Sequence, residues 1–144
     1  MDVNYKKALE WYGKAAKQGY ADAQFNLGCM YYHGLGVDLN YKKAFGWYEK
    51  AAEQGHTVAQ YNLGGMYDNG HGVDQSDSMA MRWYAKAAAQ GFKLAQPRIN
   101  TILGKRHASS AAAGAAPSAR AEEGRNKQVQ EETEKTTTTT TKKK

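Results

Sequence analysis

WYGKAAKQG, residues 11–19, returns as WYEKAAEQG at 47–55 and as WYAKAAAQG at 83–91. The spacing is 36 residues both times, and seven of the nine positions are identical in all three copies. A second stretch lies between them. AQFNLGCMYYHGLGV from Ala23 is answered by AQYNLGGMYDNGHGV from Ala59, with ten of fifteen positions identical. A third copy opens at Ala95 as AQPRIN and then fades. A fixed period of this length is the mark of stacked supersecondary units, none of which can bury its apolar face alone.

Each unit reads as two helices. The WY stretch, helix B, starts at Asn4, Asn40 and Ser76, whose side-chain oxygens suit the open N–H groups of a first turn. Ala44, Trp47, Tyr48, Ala51 and Ala52 then fall on one helical stripe. The helix stops at Gly19, Gly55 and Gly91, where a left-handed residue is wanted. Helix A follows at once, with Ala23, Leu27 and Tyr31 (then Ala59, Leu63 and Tyr67) on its core side. Gly28 and Gly64 remove side chains where two backbones must approach, and Gly34-Leu35-Gly36 and Gly70-His71-Gly72 turn the chain back. The spacing predicts helices over 4–18, 21–33, 40–54, 57–69, 76–90 and 93–104. The fold class is all-α: residues 1–104 form an α-solenoid of antiparallel helix pairs in the order B, A-B, A-B, A.

These residues resemble the Sel-one-like repeat (SLR) family, a branch of the tetratricopeptide-like helical repeats. The resemblance is carried by Ala23, Leu27-Gly28, Tyr31, Gly34, Gly36-Val37, Lys43-Ala44, Trp47-Tyr48, Lys50-Ala51-Ala52 and Gln54-Gly55, and by their counterparts 36 residues on. The later copy departs at Asp77 and Met79, where the earlier has Tyr41 and Lys43. The resemblance implies a right-handed superhelix whose helix-A face lines the concave side, and a role as adaptor or scaffold.

Composition narrows the rest. All sixteen aromatics lie between Tyr5 and Phe92, and residues 105–144 hold a single aliphatic larger than alanine, Val129. That segment, with its Ala-rich run, Thr136–Thr141 and Lys142–Lys144, is expected to be a disordered low-complexity tail. It also carries +4 of the net charge of +6, so the high pI says little about the domain, and nucleic acid is not an expected partner. Cys29 stands alone, so there is no disulfide framework and no zinc-type Cys/His spacing. His33, His56, His71 and His107 fall at turns or in the tail and read as solvated side chains rather than a metal clamp. No run of eighteen apolar residues and no signal sequence is visible, so a cytoplasmic location is expected.

No catalytic constellation emerges. Gly-x-Ser-x-Gly, Ser-x-x-Lys, His-Glu-x-x-His and the P-loop are all absent, so neither an enzyme nor a cofactor is expected. The leading expectation is a non-catalytic interaction module binding a protein or peptide. The expected binding face is the side of helix A turned from the core: Phe25, Asn26, Tyr32, Tyr61, Asn62 and Asp68. Aromatics there give contact area at low entropy cost, and amides pair with main-chain groups. The alternative is a truncated or decayed repeat fragment, self-associating through terminal helices that lack polar caps. A small enzyme and a tail-mediated nucleic-acid binder rank below both.

Overall fold

The computed structural model describes residues 4–110, among which there are six α-helices and no strand. They are α1 (Tyr5–Lys17), α2 (Ala21–His33), α3 (Tyr41–Glu53), α4 (Thr57–Asn69), α5 (Asp77–Ala89) and α6 (Ala95–Ser110). Helices α1, α3 and α5 are of type B, and α2, α4 and α6 of type A. The tail expected over 105–144 lies outside the described residues from 111 onward, and its first six residues belong to α6. Pro97 does not break α6 because it sits in the first turn, where the missing N–H would have had no partner.

Local chemistry sets the helix limits. Asn4 accepts from the Lys7 N–H and Asn40 from the Lys43 N–H, both at 3.1 Å, and the Ser76 hydroxyl accepts from the Met79 N–H at 3.2 Å. Each such cap is worth about 1 kcal/mol. At the other end of each B helix the chain passes through Gly19, Gly55 and Gly91 at φ 99°, 91° and 89°. A side chain is disfavoured in that region, so the turn into the next A helix is specified by glycine.

Packing follows the stripes. Ala44, Tyr48, Ala51 and Ala52 on α3 are buried with Ala59, Leu63 and Met66 on α4, and Ala80, Tyr84 and Ala87 on α5 with Ala95 and Ile102 on α6. Between the paired helices the tight approach is a ring on a backbone. A Cβ added at Gly28 would stand 2.7 Å from Tyr48 Cδ1, and one at Gly64 would stand 2.7 Å from Tyr84 Cδ1. No real Cβ tolerates that distance, so α2·α3 and α4·α5 are pairs that only glycine permits.

A hydrogen-bonded clamp joins successive B helices across the A helix between them. Gln54 Nε2 donates to Gly19 O and to Gln24 Oε1, both at 2.8 Å, while Gln24 Nε2 donates to Ala16 O at 3.1 Å. The arrangement recurs one period on. Gln90 Nε2 donates to Gly55 O at 3.1 Å and Gln60 Oε1 at 2.7 Å, and Gln60 Nε2 donates to Ala52 O at 3.2 Å. Buried amides are tolerable because both of their ends are used.

The three tryptophans differ in exposure. Trp83 is 8% exposed among α3 and α4 residues, Trp47 is half-buried against α1 and α2, and Trp11 is 75% exposed. Trp11 is thus the exception among the three. A B-helix Trp packs on helices that precede it, and none precedes α1 among the described residues. Lys50 and Lys86 lie over the Trp47 and Trp83 rings, 4.7 and 4.4 Å from the centroids.

Gly64→Ala is expected to lower stability by about 1–3 kcal/mol through overpacking. Gly46 has nothing within 4 Å of an added Cβ. Gly46→Ala is therefore expected to raise stability by about 0.5–1 kcal/mol. Urea denaturation followed by circular dichroism checks both signs.

Candidate functional site

The A-helix face expected to bind a partner is where the repeats join. Phe25 is 0% exposed, Asn26 1%, Tyr61 2% and Asn62 9%. An open aromatic ridge is thus corrected: the two aromatics are covered by the B helix of their own unit and by the residue that introduces the next A helix. Phe25 stacks on the His56 ring at 4.6 Å and 17°, and tilts against Tyr48 at 5.8 Å. Tyr61 sits 4.8 Å from Phe92 and 5.3 Å from Tyr84. One A helix lays its aromatic against the residue that introduces the next, so a face that looked unpartnered in one unit is covered in the stack.

His56 is no solvated turn histidine. Its Nδ1 accepts from the Ala59 N–H at 3.1 Å, capping α4, which leaves the proton on Nε2 to meet Asp22 Oδ1 at 3.2 Å. His71 likewise has structural work, with Nδ1 3.0 Å from the Tyr32 hydroxyl and its ring stacked on Tyr41 at 4.5 Å and 9°. Tyr32, Tyr41 and His71 form a half-buried aromatic edge where α2, α3 and the loop after α4 meet. Of the six expected binding residues, Tyr32 alone lies on this edge.

Buried tyrosines occupy the interior of the same face. The Tyr48 hydroxyl donates to Cys29 Sγ at 3.3 Å. Burial pushes its phenol well above the ordinary 10.0, with Cys29 and Tyr32 adding to the rise and a hydrogen bond from Asn62 opposing it. The Tyr84 hydroxyl donates to Asp68 Oδ2 at 3.1 Å and accepts from Arg98 Nε at 3.3 Å. Burial also raises Tyr84 well above 10.0, partly countered by the Arg98 charge. Arg98 Nη2 pairs directly with Asp68 Oδ2, the side chains being 2% and 4% exposed. Asp68, expected as a contact for a ligand, is therefore spent on a clasp that ties α6 to α4 and α5. Arg98 is one period on from Asn62 and two from Asn26, so the charged clasp replaces a neutral amide at the interface with α6.

Asn26 Oδ1 is buried without a hydrogen-bond partner among the described residues. Among those residues no group of His, Cys, Asp and Glu could hold a metal, and no helix is long and apolar enough to cross a membrane. The arrangement offers shape, aromatic edges and hydrogen bonds.

Helix pairs repeated at one period, joined through the same ring-on-glycine and amide contacts, define an α-solenoid. The Sel1 repeat model matches residues 1–20, 21–56 and 57–92, and the chain belongs to that family. It is similar to a Sel1 repeat protein from Oxalobacter formigenes, with 38% identity and a TM-score of 0.69, over 74% of this chain and 44% of that one. It is also similar to c5321, a protective antigen of uropathogenic Escherichia coli strains with an SLR fold, with 35% identity and a TM-score of 0.67, over 88% of this chain and 26% of that one. The chain thus spans less than half the length of either structure. No curated protein matches it. Sel1 repeats are a non-enzymatic scaffold fold that generally mediates protein–protein interactions.

Arg98→Met alone is expected to cost about 3–5 kcal/mol by leaving Asp68 buried without its cation, whereas Arg98→Met with Asp68→Leu costs much less. Denaturant titration of both variants checks this. The raised phenols give a second expectation. Folded Tyr48 and Tyr84 hold protons that the unfolded chain releases near the ordinary 10.0. The unfolded state then binds fewer protons, so stability is intact below that pH and falls above it. Thermal melts across the alkaline range should show the midpoint dropping, with a shallower slope in Tyr48→Phe.

Proposed function

We propose that this chain is a non-catalytic interaction module that presents a solenoid surface to a protein or peptide partner. The observation that carries the reading is the use made of the A-helix side chains. The side chains of Phe25, Asn26, Tyr61, Asn62 and Asp68 are buried within the stack, where they stiffen it. A stiff stack is a good platform for recognition, because a preorganised surface loses little entropy on binding. The accessible continuation of that face is the edge of Tyr32, Tyr41 and His71.

That edge suits a polypeptide. Two phenol rings and an imidazole give apolar area with polar tips, the chemistry enriched where proteins bind one another. Its scaffolding is fixed, since the Tyr32 hydroxyl is already held by His71 and Tyr41 is stacked behind it. A partner side chain therefore meets a shaped surface rather than a mobile one.

The test is site-specific. A photo-crosslinking phenylalanine analogue placed at Tyr32 should join the chain to a partner polypeptide in extract of the source cell. The same analogue at exposed Arg82 on α5 should not. Crosslinks from position 82 alone, or from neither position, would reject the proposed face.

A further inference from the structure

The residues that introduce the three A helices are Tyr20, His56 and Phe92, and of these only the histidine titrates near neutrality. Phe92 meets Tyr61 of the preceding A helix through rings, with centroids 4.8 Å apart. His56 meets Phe25 of α2 in the same manner, stacked at 4.6 Å, and adds two polar contacts. Its Nδ1 accepts from the Ala59 N–H at 3.1 Å, and its Nε2 lies 3.2 Å from Asp22 Oδ1. The residues one and two periods on from Asp22 are Val58 and Leu94. The α2/α4 junction therefore holds an imidazole and a carboxylate where the α4/α6 junction holds Phe92 and Val58.

The two polar contacts ask opposite things of the ring. The cap needs a lone pair on Nδ1, which only the neutral imidazole has. A proton there sets two donors against each other at the N-terminus of α4, where the helix dipole also disfavours a cation. The Asp22 carboxylate favours the cation. Its side chain is 71% exposed, against 14% for His56, so solvent screens most of that attraction. From α3, Tyr48 lies behind Phe25 at 5.8 Å, and burial raises its phenol well above 10.0, so it brings no charge. Glu53, which ends α3, is exposed, and Gln54 is committed to Gly19 and Gln24. The neutral ring is the form that this junction holds.

We propose that His56 is an acid-sensitive latch between α2 and α4, whose protonation breaks the cap on α4 and loosens the stack at that junction. In the unfolded chain the imidazole takes up its proton near the ordinary value of about 6.5. The folded ring must give up the Ala59 contact to do so, and it binds the proton only at lower pH. Below about pH 6.5 the unfolded state thus holds more protons than the folded one. The latch contributes its full stability above that pH and loses it as the pH falls. The α4/α6 junction has no such response, since Phe92 does not titrate. The proposal is independent of the Tyr32 edge.

Nuclear magnetic resonance of the full chain reads the latch directly. The protonation midpoint of the His56 ring should be lower in the folded chain than in urea, and Asp22→Asn should lower it further. Hydrogen exchange, corrected for its intrinsic pH dependence, should show Ala59 losing protection between about pH 7.5 and 5. Over that range the melting midpoint should fall by on the order of 5 °C more in the wild-type chain than in His56→Asn. The asparagine keeps an acceptor for the Ala59 N–H at every pH. His56→Phe, which reproduces the ring of the α4/α6 junction, should share the flatter profile. A folded midpoint at or above that in urea would show that the Asp22 contact outweighs the cap, and would overturn the proposal. Equal acid losses in the wild-type chain and both variants would overturn it too.

Discussion

The rings of Tyr48 and Tyr84 lie against the backbones of Gly28 and Gly64, and the remaining architecture depends on that approach. It draws each A helix close to the B helix that follows. The neighbouring stripe positions must then be small, and Ala44, Ala51, Ala52, Ala80 and Ala87 are. The same closeness brings the side chains of Gln54 and Gln90 within reach of main-chain oxygens 35 residues back in the chain. Apolar contact sets the distance, and the amides fix the register that the distance allows.

The hairpins were legible in the sequence because their signals are local and repeated. The caps at Asn4, Asn40 and Ser76, the left-handed glycines that end the B helices, and the alanine stripes each answer to short-range chemistry. The fate of the A-helix face was not legible in the same way. Phe25 and Tyr61 are buried by Tyr48 and Tyr84 of the B helix that follows and by His56 and Phe92 at the next turn, contacts that a single helix's periodicity does not reveal. One signal was available: an exposed binding face need not repeat, whereas Asn26 and Asn62 recur at one period, as do Gln24 and Gln60. Recurrence of polar residues in step with the fold marks interior hydrogen bonding as readily as a shared ligand.

Variation within that recurrence is where this chain differs from a uniform array. At its last interface a neutral amide gives way to Arg98, and Asp68 stands where the earlier unit has Tyr32. A buried ion pair adds little net stability over apolar packing, but it penalises any misplaced helix that leaves one charge alone. Together with Asn100 it sets α6 apart from α2 and α4. Among the described residues α6 carries an exposed polar stripe of Gln96, Asn100 and His107, unlike α2 and α4. A scaffold of this kind works through the identity of its surfaces, since the interior of every interface is already occupied.

Hydrogen–deuterium exchange on Gly64→Ala examines the ring-on-backbone contact most directly. Alanine favours an isolated helix, so a purely local effect would leave α4 amides as protected as before, or more so. If the contact with Tyr84 governs the stack, protection should fall in α4 and α5 together while α2 and α3 change less. Unchanged or increased protection in α4 and α5 would contradict the account.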